Sequence, residues 1–199
     1  PPFLRKGRGT AREPLDVYQP GGRRPRGYHA AMDPAFSPDA LAKRLAGMAA
    51  RPDGPSRLSP FITHGLLSVP EAGAFARSRL PPEAARAWLR ALARREHGHH
   101  LWRHHGTAIL KDTAGARSQA LDEDLPEDIR AAATGHGDVD AAIRALYETG
   151  WLPHGERVRL ATFIVHERRL HWRVGAEWLY GHLLDGDLAS NHLAWQAVA

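Results

Sequence analysis

The sequence predicts an all-α protein, a compact bundle of helices around a shared apolar core. From residue 37 onward, apolar side chains recur every three or four residues, as on one face of a helix. No segment of strand length alternates between apolar and polar residues, and residues that start and stop helices separate the periodic segments. We expect helices at residues 38–50, 59–66, 69–79, 82–105, 126–134, 138–149, 155–169, 174–184 and 187–198.

Capping residues support several of these boundaries. Ser59 followed by Pro60 is typical of an N-cap and a first helical turn, and Pro82 opens the long helix in the same way. Asp138 and Gly150 bracket another helix, because glycine adopts the left-handed backbone with which many helices end. The sequence therefore predicts both the presence of these helices and several of their ends.

Length and composition predict one domain with an extension. A chain of 199 residues is long enough for one substantial core. Residues 1–27 mix proline, glycine and basic residues with few apolar ones, so we expect a loosely held arm before a helical domain over 28–199. The arm either contacts nucleic-acid phosphates or acts as a solubilising tail or a strap over the helices. Residues 111–126 are polar and are the predicted long surface connection.

The net charge and the amino-acid composition limit the kinds of partner and the location expected for this chain. The formal net charge is +5 and arises mainly from arginine, which favours polyanions such as nucleic acid or the phosphates of a cofactor. The absence of cysteine excludes disulfides and thiolate metal sites. No apolar run approaches the roughly 18 residues that span a bilayer, and the start has no hydrophobic signal core. We therefore expect a cytoplasmic protein without membrane contact.

The segment from Asp185 to Ala199 places two carboxylates, an amide and an indole in a turn followed by a helix. If Asp187 caps that helix, Asn191 and Trp195 lie four residues apart on one face. A flat ring system with donors and acceptors on its edge suits such a face. Taken alone, the Asp-Gly-Asp unit fits a plain turn with a helix cap equally well.

Two further groups of residues indicate an anionic ligand. Trp88, Arg95 and Trp102 share one face of the predicted long helix, and an inward-facing arginine needs an anion unless it lies at the edge of the core. Ser56 and Arg57 precede a helix start, where hydroxyl, guanidinium and backbone N–H groups together suit a diphosphate. An ordinary capping turn is the alternative for the second group.

Four motifs resemble segments of a single family and occur in the same order. Ser56–Phe61 (SRLSPF) resembles its SRLSPY loop, and Asp138–Trp151 resembles its VDAAMR…TGW helix. Trp172-Arg173 resembles its DWR step, and residues 185–196 (DGDLASNHLAWQ) resemble its DGDLAxNxxxWQ segment. This is the photolyase/cryptochrome family. The resemblance implies its helical FAD-binding domain, FAD as cofactor, and blue-light-driven electron transfer between the flavin and protein tryptophans.

The resemblance also implies roles for individual residues. The SRLS loop is expected to hold the FAD phosphates, and Arg157 to pair with Asp185 beside the flavin ring. Asp187 is expected at the ring edge or ribityl chain, and Asn191 at ring atom N5. The cofactor-binding residues implied in this way are Tyr28, Ser56, Arg57, Leu58, Ser59, Trp88, Arg95, Trp151, His154, Arg157, Asp185, Asp187 and Asn191.

Two tryptophans match the family's electron-transfer chain. Trp195 and Trp172 correspond to its first two members, whereas the third falls near Ser118 or Gln119, neither of which is aromatic. We therefore expect a path that is either shortened or rerouted. The aromatic residues considered for a rerouted path are Trp178, Tyr180 and Trp102.

Other positions depart from the family in ways that bear on enzymatic activity. The residues that touch the lesion in DNA-repairing members are replaced by Ala91, Arg94 and Ala197, and residues 150–155 (GWLPHG) replace a GW-x-H-N-R pattern. Repair of a flipped base needs an apolar, aromatic-lined pocket, so lyase activity is left open. One alternative is a DNA photolyase with an altered pocket, in which the arm and Arg94 contact DNA. The other is a non-enzymatic, light-sensing module that binds a partner.

The resemblance covers the FAD-binding domain and not the family's N-terminal antenna domain. We therefore expect that the domain works alone or is completed by a separate chain or a second copy.

Glu96, His100 and His104 have the helical spacing of a zinc-type site but lack the HExxH arrangement of a catalytic one. We expect no metal, with these imidazoles near the cofactor pocket or in water.

Overall fold

The computed structural model describes residues 37–52, 54, 56–112 and 124–199, and within them every regular element is a helix. The predicted all-α fold is therefore confirmed. A 3₁₀ turn at Gly106–Leu110 follows α4, and a π-helical turn at Phe163–Glu167 continues α7. The α-helices are α1 (Pro38–Ala50), α2 (Ser59–Thr63), α3 (Val69–Arg79), α4 (Pro82–His105), α5 (Glu127–Arg130), α6 (Gly137–Thr149), α7 (His154–Thr162), α8 (Trp172–His182) and α9 (Leu188–Val198).

Some of the sequence-based predictions lie outside these residues. The basic arm at 1–27, Tyr28 and the positions near Ser118 and Gln119 are among them. The domain boundary at residue 28 therefore stays a prediction.

Several helices differ from their predicted extent for local reasons. Helix α2 stops at Thr63 because the chain turns, and the N–H groups of Leu66 and Leu67 both donate to the carbonyl of Phe61. Its N-cap is Leu58, so the predicted N-cap role of Ser59 was wrong. Helix α5 is shorter than predicted because the backbone turns left-handed at Ala132 (φ 53°).

Side-chain caps fix the starts of the helices that matter most for the site. Ser68 and Glu71 form a reciprocal capping box at α3, and Asp187 accepts from the N–H of Ser190 at the start of α9. Helix α8 begins two residues earlier than predicted, since the His171 ring accepts from the N–H of Arg173. Gly150 ends α6 with φ 62°, as the sequence predicted.

Two large apolar clusters form most of the core, and a small third one surrounds Ile109, Leu110 and Ala189. The first lies among α5 to α9 and centres on Ile143, Leu160 and Trp172, each almost completely buried. The second joins α1 to α4 and centres on Leu58 and Ala76. Helix α4 contributes Ala85 and Leu92 to the second cluster and packs against α9, whose Trp195 belongs to the first. The candidate site lies where the clusters meet.

The π-helical turn and one close approach position α9. His166, within the turn, donates from Nε2 to the carbonyl of Val198 at 2.7 Å and so holds the last turn of α9. Gly175 in α8 lies directly beneath the Trp195 ring, and a Cβ at that position would overlap the Cη2 and Cζ3 atoms of the indole. Trp195 is therefore packed against the backbone of α8.

No helix in the described parts of the chain combines the length and the apolar character needed to cross a membrane.

Replacing Gly175 with alanine should destabilise the fold by about 1–3 kcal/mol, because the added methyl group overlaps the buried Trp195 ring. Gly181→Ala in the same helix is the matched control, since nothing lies within 4 Å of its Cβ position. That control should be neutral or stabilising by up to about 1 kcal/mol, from helix propensity. Urea unfolding of both variants measures the difference. Equal stabilities would contradict the packing described here.

Candidate functional site

A cavity of about 970 Å³ lies between the two larger apolar clusters, bounded by α2, α4, α7, α8 and α9. Its walls are mostly apolar, with contributions from Ile62, Leu92, Leu179 and Trp195. The polar and charged side chains that line it are Ser59, Arg90, Arg94, Arg95, His97, His154, Arg157, Asp185, Asp187, Ser190 and Asn191.

The turn between α8 and α9 brings Asp185 into this cavity. The Asp185 side chain is 4% exposed, and both of its carboxylate oxygens accept from Nη2 of Arg157, at 2.9 and 2.8 Å. Nε of Arg157 donates to the carbonyl of Leu152 at 2.9 Å, which fixes the guanidinium. The structure thus brings together the pair that the motif spacing predicted, and the arginine balances the buried charge.

Asp187 is held by three donors from two helices. Its Oδ1 accepts from the N–H of Ser190 at 2.8 Å, and its Oδ2 lies 3.2 Å from Nη2 of Arg95 and 2.7 Å from Nε2 of His99. The anion that the sequence predicted for Arg95 is thus a carboxylate of the same chain. The spacing places His99 one turn after Arg95 on the same helix face, but its contact with Asp187 was not predicted.

The surroundings of the Asp187 carboxyl change its pKa in opposite directions. Burial, the largest influence, raises its pKa, whereas hydrogen bonds from Ser190 and the charges of Arg95 and His99 lower it. The lowering influences prevail, so the pKa of Asp187 lies below its ordinary value. The carboxylate is therefore ionised in the folded chain at neutral pH.

Asn191 and Ser190 face the cavity from the first turns of α9. Nδ2 of Asn191 donates to the carbonyl of Ala176 in α8 at 2.8 Å, which fixes the side chain and leaves its carbonyl oxygen as the group for a ligand. The Ser190 hydroxyl is buried and makes no hydrogen bond within the described residues. A buried hydroxyl without a partner is uncommon, and although Ser190 contributes to the cavity wall, its hydroxyl oxygen is itself almost inaccessible.

Of the SRLS segment, residues 56–59, only Ser59 lines the cavity. Its hydroxyl accepts from Nε1 of Trp151 at 3.4 Å, and Trp151 and His154 line the same wall. The Arg57 guanidinium lies 4.9 Å from the centre of the Trp151 ring and outside the cavity wall. Leu58 is fully buried in the α1 to α4 core and does not line the cavity, and its carbonyl accepts from the N–H of Ile62. The Ser56 hydroxyl accepts from the N–H of Leu58 at 3.4 Å.

The predicted tryptophans occupy different positions. Trp88 lines the cavity and donates from Nε1 to the carbonyl of Ala72 at 3.4 Å. Trp195 lines it too and is 2% exposed. Trp172 lies behind that wall, 1% exposed, and donates from Nε1 to Asp112 at 2.9 Å. Asp112 was missed, because nothing in the sequence links it to a residue 60 positions away.

One part of the cavity wall has the residues that depart from the family pattern. Ala91, Arg94 and Ala197 line it, together with Arg90 and His97. These side chains are small or cationic rather than aromatic.

The candidate metal ligands do not assemble: within the described residues no three His, Asp or Glu side chains form a metal-binding group, and the rings of His100 and His104 contact each other instead.

An all-α bundle with a large, mostly apolar cavity and a few convergent charged groups is the architecture of a cofactor-binding protein. Residues 88–199 match the family model described as the FAD binding domain of DNA photolyase. The chain belongs to the photolyase/cryptochrome family and carries its FAD-binding domain.

Similar proteins include photolyases and a cryptochrome. A deoxyribodipyrimidine photo-lyase of Thermus thermophilus is 37% identical over 148 residues, covering 72% of this chain and 35% of the relative. That of Synechococcus sp. is 32% identical over 158 residues, covering 72% and 32%. Cryptochrome-1 of Arabidopsis thaliana is 32% identical over 119 residues, covering 58% and 18%. The chain thus spans about a third of the photolyases it matches.

Solved structures share the fold. A class III photolyase from Agrobacterium tumefaciens matches with a TM-score of 0.72 and 23% identity, covering 81% of this chain and 37% of that one. A cryptochrome from Synechocystis sp. matches with a TM-score of 0.65 and 24% identity, covering 79% and 35%. These matches establish the helical fold of the family's FAD-binding region.

Replacing Arg157 with alanine should lower the free energy of unfolding by about 3 kcal/mol, because it leaves the Asp185 carboxylate buried without its cation. Arg159→Ala is the matched control on the same helix. Its partners Asp138 and Glu156 are substantially exposed, so its loss should cost less than about 1 kcal/mol. Adding Asp185→Asn to the Arg157 variant should restore part of the stability. Equal effects of the two arginine variants in urea unfolding would refute this role.

Asp187 should make stability depend on pH in the acid range. Its folded pKa is lowered, so unfolding takes up a proton there, and its contribution is present above about pH 4 and lost as the pH falls further. Asp187→Asn keeps a capping acceptor for Ser190 but removes the charge. The difference in unfolding free energy between wild type and Asp187→Asn should therefore shrink on acidification. A difference that is constant with pH would show that the charge contributes nothing.

Proposed function

We propose that the cavity binds FAD and that the chain supports blue-light-driven electron transfer between the flavin and Trp195 and Trp172. The observation that carries this proposal is the acidic turn at Asp185 and Asp187, with each carboxylate neutralised by an arginine from another helix at the wall of one large cavity. Family membership supports the cofactor, and the position of Trp195 in the cavity wall supports the electron donor.

The residues present fit this cofactor. The cavity volume of about 970 Å³ suits a large ligand, since cofactor sites are about 300–1,000 Å³. Its apolar walls suit a flat ring. Asp185 is an acceptor for a ring N–H, the Asn191 oxygen faces the same space, and Ser59 offers a hydroxyl.

The other predicted contacts remain part of the proposal. Arg57 and Ser56 are expected at the phosphates, where a guanidinium and a hydroxyl satisfy anionic oxygens. Arg95 and Asp187 already neutralise each other, so their proposed role is to shape the wall rather than to supply net charge. The remaining proposed contacts are Tyr28, Leu58, Trp88, Trp151, His154 and Arg157.

When bound, the flavin supplies light absorption and single-electron exchange. The chain supplies the electron donors, Trp195 and Trp172, and fixes their positions by packing. Trp195 is fixed between the cavity and the backbone of α8 at Gly175, and Trp172 lies one helical turn before that glycine. His192 lies one turn before Trp195 on α9 and meets the Trp172 ring edge-on, with ring centres 6.0 Å apart. The two indoles therefore belong to neighbouring turns of packed helices.

A second candidate is DNA photolyase activity with an altered substrate pocket. Arg90 and Arg94 line the cavity and are exposed, so they can meet phosphates, and the curated relatives are deoxyribodipyrimidine photo-lyases. Ala91 and Ala197 supply none of the aromatic surface that holds a flipped base. We therefore rank repair second. A non-enzymatic light sensor that binds a separate chain or a second copy in the cytoplasm is the third possibility.

The purified chain, incubated with FAD, should show the visible absorption of bound flavin and should lose the oxidised bands under blue light with an external reductant. Trp195→Phe should slow this photoreduction by roughly tenfold or more, because it removes the donor in the cavity wall. Trp172→Phe should also slow it. Trp178→Phe tests the rerouted path: Trp178 contacts Tyr147 on another side of α8, so an unchanged rate in this variant would exclude a route through it.

Absence of flavin binding would refute the cofactor site, and unchanged photoreduction in Trp195→Phe would refute the electron path. Illumination with an oligonucleotide containing a pyrimidine dimer separates the first two functions, since only a photolyase restores the bases.

A further inference from the structure

A carboxylate that the proposed function does not use lies against Trp172. Asp112 follows the 3₁₀ turn after α4, and its Oδ1 is 2.9 Å from Nε1 of Trp172. Nε2 of His171 is 3.1 Å from the same oxygen. The side chains of His171 and Trp172 are almost completely buried, whereas that of Asp112 is 31% exposed. Asp112 therefore connects a buried indole N–H with solvent.

The hydrogen bonds define the proton positions around this carboxylate. Nδ1 of His171 accepts from the N–H of Arg173 at 3.1 Å, so a neutral His171 carries its proton on Nε2 and donates it to Asp112. The indole N–H of Trp172 is also a donor. Burial, the largest influence, raises the pKa of Asp112, but these hydrogen bonds and the neighbouring charges outweigh it and hold the pKa below its ordinary value.

Within the described residues, Trp172 is the last tryptophan of the proposed electron path that matches a member of the family's tryptophan chain. No aromatic residue occupies the family's third position in the sequence. On the shortened path, a positive charge that reaches Trp172 has to be stabilised there. The Arg173 guanidinium lies 5.6 Å from the centre of the Trp172 ring and disfavours a cationic ring. The ionised carboxylate at the indole N–H is the group suited to remove that charge.

We propose that Asp112 is the proton acceptor for Trp172 in light-driven electron transfer, an inference that rests on the proposed function. One electron passes from the Trp172 ring to photo-oxidised Trp195, which returns to its neutral form. The N–H bond of Trp172 then breaks, and the proton moves to Oδ1 of Asp112. The products are a neutral indolyl radical and a neutral carboxylic acid.

The transfer removes the positive charge on the ring, which the buried site and the nearby Arg173 guanidinium oppose. A cationic indole in a buried site is costly to maintain, and the proton transfer leaves both partners neutral. It also traps the separated charge, since the electron can return only when the proton does. The exposed part of Asp112 then allows the proton to pass to water.

Transient absorption of the FAD-loaded chain tests this proposal, because neutral and cationic indole radicals have different visible spectra. The wild type should form the neutral radical, whereas Asp112→Asn should retain the cationic one, which decays roughly tenfold faster. Asp112→Glu should restore the neutral radical. Asp138→Asn changes an exposed carboxylate elsewhere and should behave as the wild type.

NMR of the flavin-free chain provides a second readout. The indole N–H resonance of Trp172, identified by its absence from Trp172→Phe, should move upfield in Asp112→Asn and should titrate at acidic pH only when Asp112 is present. Asp138→Asn should leave it unchanged. A resonance insensitive to both the substitution and pH would overturn the contact on which the proposal depends.

The outcomes separate this proposal from the proposed function. Photoreduction in the wild type with the same radical in Asp112→Asn would refute the proton acceptor and leave the electron path intact. A wild type that forms no tryptophan radical under light would refute the electron path and this inference with it.

Discussion

The structure depends on the neutralisation of two carboxylates that stand two residues apart in one turn. Asp185 and Asp187 line the same cavity and are largely buried, so neither can remain ionised without a nearby cation. Arg157 comes from α7 and Arg95 from α4, and these helices lie on different sides of the turn. The two ion pairs therefore connect the turn to both apolar clusters.

The sequence predicted the features that depend on local patterns. The periodicity and prolines of α4 predicted its full extent, Pro82–His105, and the Asp-Gly-Asp motif predicted the cap of α9. The spacing of the family motif also predicted the partnership of Arg157 and Asp185. The use of Ser59 as a helix cap was predicted wrongly, because the choice between Leu58 and Ser59 depends on how the preceding loop packs.

The contacts that the sequence did not predict are those between distant segments. His99 meets Asp187 across two packed helices, and Asp112 meets Trp172 across 60 residues. Both depend on how helices cross rather than on any residue pattern within them. The same is true of the Ser190 hydroxyl, whose lack of a partner is evident only when the surrounding walls are in place. Local signals thus identified the elements and the principal ion pair, and tertiary packing determined the rest of the site.

The π-helical turn at Phe163–Glu167 has a mechanical consequence for the indole in the cavity wall. His166 in this turn donates to the carbonyl of Val198 at the end of α9, and Asp187 caps the start of the same helix. Helix α9 is therefore anchored at each extremity by a side chain, and Gly175 supports its middle through Trp195. An element fastened at three points has little freedom to slide or tilt. Because tunnelling rates fall steeply with separation, such rigidity would keep the gap between Trp195 and a flavin in the cavity constant, as the proposed electron transfer requires.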